Sequence, residues 1–142
     1  MMAKTMELAT KNAALLNPDE DLGIVHFVTP GENPIYAGSA AGSARLTPTV
    51  CIHSFRLPFS AWRPFFIDGA HVVTPTTRHI PPQCLDAKMK NRSRLHWWIA
   101  DQQSHAVDPA AVSLLLDLDG NITECGGANF LIVKDRVILS PT

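Results

Sequence analysis

This 142-residue sequence predicts an α+β chain in two parts, and three observations carry that expectation. Two stretches repeat apolar residues at helical spacing, and several short β-branched runs close on turn residues. A cluster of prolines (Pro75, Pro81 and Pro82) then separates two halves of different texture. The composition, 46% apolar and 18% charged, is that of an ordinary globular domain and excludes a disordered tail. Twelve Lys+Arg against 13 Asp+Glu leave a formal net charge of −1, which argues against a nucleic-acid partner. No apolar run approaches the roughly 18 residues needed to span a bilayer, so no membrane partner is expected. Lys4, Glu7 and Lys11 interrupt the N-terminal apolar residues, which excludes an export signal of the usual type. Three cysteines (Cys51, Cys84 and Cys125) with no CxxC pair point to a reduced, cytoplasmic chain without a disulfide framework.

The elements follow in order. Met2, Met6, Ala9, Ala13 and Leu16 share one face of a helix over 2–16, ended by Asn17-Pro18 because the residue before proline avoids the α region. Leu22 to Thr29 (LGIVHFVT) reads as a buried strand closed by Pro30-Gly31. Residues 30–48, rich in Gly, Ala, Ser and Pro, read as a long surface loop. Thr49 to Phe55 is a second strand, 58–66 only a short helical turn because of Pro64, and Ala70 to Thr74 a third strand. The proline cluster makes 79–90 an extended, stiff interdomain connector. A helix over 91–105 presents Leu95, Trp98, Ile99 and Gln102 on one face. Ala111 to Leu116 is a buried strand, Asp117-Leu118-Asp119-Gly120-Asn121 a hairpin turn, and Ile122 starts the return strand. Residues 129–133 and 136–139 form a further hairpin around Lys134-Asp135. A chain that opens on a lone helix and stops just after a strand is expected to be a piece of a longer one.

Few residue patterns carry chemistry. Cys51 and His53 share one strand face, but no second pair lies at ligand spacing, so no metal is expected. There is no GxGxxG and no GKS/GKT, and Gly38 to Ser43 lacks the strand–turn–helix setting of a nucleophile elbow. The six histidines are scattered and read as structural. What remains is an ordered pair. Lys90 precedes a helix whose N-terminal partial positive charge disfavours an ammonium ion, a setting suited to Schiff-base chemistry. Glu124 precedes Cys125-Gly126-Gly127-Ala128-Asn129, a glycine-bearing turn that lets backbone approach a ligand. Taken alone, an isolated lysine and glutamate read first as solvated surface charges.

Together, the words around them resemble one family. Lys90 before a helix, then VSLLLDLD, Gly120-Asn121-Ile122-Thr123-Glu124, Ala128-Asn129-Phe130-Leu131-Ile132-Val133 and Leu139-Ser140-Pro141 resemble the class IV (fold type IV) pyridoxal-phosphate enzymes. That family holds branched-chain aminotransferases, D-amino-acid aminotransferases and aminodeoxychorismate lyases. The resemblance is good from about Pro81 to Pro141 and weaker before it. It implies a small, incomplete N-terminal α/β domain (1–78), a linker (79–90) and the start of a larger, β-rich C-terminal cofactor domain (91–142). It implies pyridoxal 5'-phosphate as cofactor, with Lys90, preferred over Lys88, as the Schiff-base lysine. Glu124 becomes the pyridine-nitrogen partner, and Asn129 with the Cys125, Gly126, Gly127, Ala128 turn becomes part of the cofactor pocket. It also implies transamination of an amino acid with a 2-oxo acid, and a homodimer. Pyruvate release from aminodeoxychorismate, or an inert fragment, are the rival expectations. Two departures stand out. Leu95, beside His96, sits where branched-chain members often carry a tyrosine, and both phosphate-binding segments of the family lie outside the chain.

Overall fold

The computed structural model describes residues 1–31 and 47–141; most of the loop expected over 30–48, Gly38 to Ser43 included, lies outside the described residues. Packing divides the chain into two units, Met1–Arg63 and Pro64–Thr142.

In the first unit, α1 (Met2–Ala13) lies on an antiparallel pair of strands, β1 (Leu22–Thr29) and β2 (Thr49–Arg56). Their register runs from Leu22 opposite Arg56 to Thr29 opposite Thr49. The face α1 turns inward is not the expected one. Thr5 is buried, with Oγ1 3.1 Å from His26 Nε2, and Asn12 Nδ2 donates to Ser54 Oγ at 2.6 Å, while Met2 and Met6 stay exposed. Polar strand residues on that side select polar helix residues, so the methionine stripe faces away. Glu7 bridges Lys4 and Lys11 on the outer face, each at 3.0 Å.

The segment expected as a brief turn is instead a nine-residue helix, α2 (Phe59–Ile67), which contains Pro64. Proline forfeits one i→i−4 bond, yet its neighbours still pair: Trp62 N–H donates to Pro58 O at 3.1 Å and Asp68 N–H to Pro64 O at 2.8 Å.

The second unit is built on a three-stranded sheet in the order β3 (Val72–Val73), β4 (Val112–Leu116), β5 (Ile122–Cys125). β3 runs parallel to β4, which needs a long crossover, and the connecting chain carries α3 (Leu95–His105). β4 and β5 form the expected antiparallel hairpin, with an irregularity between Leu114 and Leu116. α3 packs on β4 through Trp97, Ala100 and Ser104, so the stripe expected from Leu95, Trp98, Ile99 and Gln102 points outward; Trp98 is 60% exposed. The cause is again polar pairing, together with the small Ala100. Ser113 Oγ of β4 donates to Asp101 Oδ1 at 2.6 Å and lies 3.0 Å from Ser104 Oγ. Trp97, Ala100 and Leu115 form the apolar centre of this unit.

α3 begins four residues later than expected, because Asn91 Oδ1 accepts the Ser93 N–H (3.0 Å) and diverts the backbone into a turn. Nor are residues 81–89 extended. Pro82 occupies the second position of a turn closed by Cys84 N–H to Pro81 O (2.9 Å), the place where its fixed φ fits best. Asp86 caps the next turn by accepting from Lys88 N–H at 2.9 Å. The last hairpin pairs β6 (Ile132–Lys134) with β7 (Val137–Leu139). Asp135 and Arg136, at φ 51° and 63°, form its turn, one residue beyond the expected centre. No helix among the described residues is long and apolar enough to cross a membrane.

Candidate functional site

Of the site residues expected from the sequence, Lys90, Glu124 and Asn129 line one cleft of about 970 Å³ in the second unit, and Lys88 lines it as well. The irregular chain before α3 supplies Lys90, β5 supplies Glu124, and the segment before β6 supplies Asn129. Side chains alternate along a strand, so Glu124 faces the cleft while the next residue, Cys125, turns into the core and is buried.

Cys125, Gly126, Gly127 and Ala128 do not line the cleft. Their turn closes on a Cys125 N–H to Ala128 O bond of 3.0 Å and packs toward α3. A Cβ on Gly126 would stand 3.4 Å from Trp97 Cε3, an ordinary contact, so the turn lies against α3. Burial, with Glu124 next door, raises the Cys125 thiol above its ordinary value and keeps it protonated. Lys90 is exposed and stands outside the first turn of α3; Arg94 occupies the N-cap position. The Arg94 guanidinium lies 5.1 Å from the Trp97 ring centroid and donates to the Gly126 carbonyl.

The structure adds two histidines that the sequence did not connect to the pair. His79 is fastened to the sheet by its N–H to Leu116 O at 2.9 Å, and its Nε2 stands 3.6 Å from Glu124 Oε1. His96, on the first turn of α3, meets His79 edge-on with ring centroids 5.6 Å apart, and its Nε2 is buried without a hydrogen-bond partner. Burial chiefly, then the charges of His79 and Arg94, hold His96 below the ordinary histidine value, with Glu124 acting the other way. The signal that would have found His79 is the parallel β3–β4 pairing, which carries residue 79 past the end of β4. Hydrophobic periodicity does not reveal that pairing.

The arrangement offers an amine, a carboxylate and a carboxamide around one space. Lys88, Lys90 and Arg94 share the lining with Asp86, Asp117, Asp119 and Glu124, so the walls carry both signs of charge. Trp97 and Phe130 add aromatic surface. An amine suits a carbonyl carbon, and a carboxylate suits a protonated ring nitrogen. The donor set therefore fits the aldehyde and pyridine ends of pyridoxal phosphate. Among the described residues no group of three or more His, Cys, Asp or Glu side chains could hold a metal ion.

Comparison with known proteins gives a consistent picture. The family model described as amino-transferase class IV matches residues 3–142. A branched-chain-amino-acid aminotransferase-like protein 1 of Arabidopsis thaliana is 34% identical over 83 residues, which is 56% of this chain and 15% of that protein. The crystal structure of the T.th. branched-chain amino acid aminotransferase complexed with N-(5'-phosphopyridoxyl)-L-glutamate superposes with a TM-score of 0.55 at 23% identity, covering 68% of this chain and 29% of that one. The same enzyme with pyridoxamine 5'-phosphate gives the same score over 30% of its length. The chain thus shares the fold of that enzyme and spans less than a third of its length.

Proposed function

The chain belongs to the amino-transferase class IV family, and from that premise we propose that it contributes the lysine-bearing wall of a pyridoxal-phosphate site for transamination between an amino acid and a 2-oxo acid. The observation that carries this reading is the convergence of Lys90, Glu124 and Asn129 on a single cleft. The names of the relatives add a branched-chain amino acid as the substrate class.

When bound, the cofactor supplies a ring that accepts electron density from the substrate Cα. Lys90 Nζ would hold the cofactor at its aldehyde end and, when free, would take up and return the substrate Cα proton. Its exposure on the cleft wall gives the amine room to leave and return. The Glu124 carboxylate would accept a hydrogen bond from the ring nitrogen and so favour its protonated form. Asn129 can donate or accept at the rim of the same space. The reading includes the division into 1–78, 79–90 and 91–142, a homodimer, and a cytoplasmic setting suited to free Cys51, Cys84 and Cys125.

Borohydride trapping after incubation with pyridoxal phosphate tests it. Peptide mapping is expected to place the reduced pyridoxyl group on Lys90. Labelling spread evenly over Lys4, Lys11, Lys88 and Lys134 would overturn the assignment.

A further inference from the structure

We propose that His79 is a positioning residue for Glu124, its imidazole fixed so that it holds the carboxylate at the cleft; this rests on reading Glu124 as the ring-nitrogen partner. The His79 N–H donates to Leu116 O at 2.9 Å, which ties the residue to the end of β4, the strand paired with β5. Glu124 and His79 therefore depend on the same hairpin, and their separation does not rely on a flexible loop.

The ring is oriented as well. His79 Nδ1 lies 3.0 Å from the carbonyl oxygen of Ile80, which can only accept, so Nδ1 carries a hydrogen. Nε2 is then the nitrogen left for Glu124 Oε1, 3.6 Å away. That distance exceeds an N–H···O hydrogen bond, so the hold is one of charge. With a proton on Nε2 the contact is an ion pair; without it a lone pair faces a carboxylate. The edges of His96 and Trp97, with centroids 5.6 and 5.8 Å from that of His79, fix the ring plane.

His96 and Glu124 are the titratable groups that face His79. His96 of α3 is the second histidine in the cluster, and both burial and Arg94 disfavour a cation there. Glu124 of β5 is the carboxylate within ion-pair reach of His79. A half-exposed glutamate with no such partner samples several rotamers, and an ordering partner removes that freedom before a ring nitrogen arrives. Positioning of this kind acts through Glu124 and needs no contact between His79 and substrate.

Nuclear magnetic resonance on the whole chain, free of cofactor, tests it. Three-bond couplings about the Glu124 Cα–Cβ bond are expected to report a single rotamer in the wild type and averaging in His79→Leu. Averaging in the wild type, or a single rotamer that survives His79→Leu, overturns the proposal. Should His79→Leu lose the dispersed resonances of a folded chain, Glu124→Gln reads the pair from its other side. The His79 Nε2 nitrogen resonance must then shift while those of His71 and His105 stay in place, and an unmoved Nε2 resonance overturns the proposal. Neither measurement needs bound cofactor. A held Glu124 with no trapping at Lys90 removes the cofactor reading alone, and trapping at Lys90 with an averaging Glu124 removes the positioning alone.

Discussion

His96 shows what a single side chain contributes to this fold. Its ring is packed between His79 and Trp97, and burial, reinforced by neighbouring positive charge, disfavours its cation. The folded chain therefore binds a proton at His96 less readily than the unfolded chain, whose histidines titrate near 6.5. Stability from this residue is present above that value and is lost as the pH falls through it, because the unfolded state then binds more protons. Urea midpoints of the wild type are expected to fall between about pH 7.5 and about pH 5.5 more steeply than those of His96→Gln. Parallel curves would show that the ring is not carrying this cost. The histidines are also where sequence reasoning stopped short. Lys90, Glu124 and Asn129 were legible because each stands at a fixed place in a linear pattern. His79 and His96 have no pattern of their own, and only the pairing of β3 with β4 brings one against the other.

At the scale of elements, the turn between β4 and β5 is the most fully determined piece. Asp117 Oδ1 accepts from the amides of Asp119 (2.9 Å) and Asn121 (2.8 Å), and Oδ2 from Asn121 Nδ2 (2.9 Å). Gly120 closes it at φ +87°, with nothing within 4 Å of where a Cβ would stand. A methyl group there meets no obstacle, so Gly120→Ala costs backbone strain alone, about 1–2 kcal/mol of unfolding free energy in urea. Gly127 is equally open but does not adopt a positive φ, and Gly127→Ala is expected to stay within about 0.5 kcal/mol of wild type. Equal losses at the two positions would mean that turn geometry is not the cause. Turn chemistry of this kind acts within a few residues, which is why the hairpin could be read directly. Helix faces could not. In α1 and α3 the inward stripe contains buried Thr5 and Ser104 and half-buried Asn12 and Asp101, which are selected by His26, Ser54 and Ser113 on strands distant in sequence. Pro64 does not stop α2, because the local bonds on either side of it sustain the helix despite the one it lacks.

At the scale of the whole molecule, the chain holds two separately packed units, and the cleft lies within the second. The order of motifs along the chain was enough to place it in its family, whose model matches residues 3–142. The cleft around Lys90 and Glu124 is proposed to bind pyridoxal phosphate through Lys90. The most direct test is visible-region circular dichroism of the reconstituted chain, wild type beside Lys90→Ala. Random labelling of surface lysines gives colour without handedness, whereas a cofactor held in one orientation is chiral. A visible circular dichroism band is expected in the wild type and is expected to be absent from Lys90→Ala. No band in the wild type, or a band that survives the substitution, would contradict it.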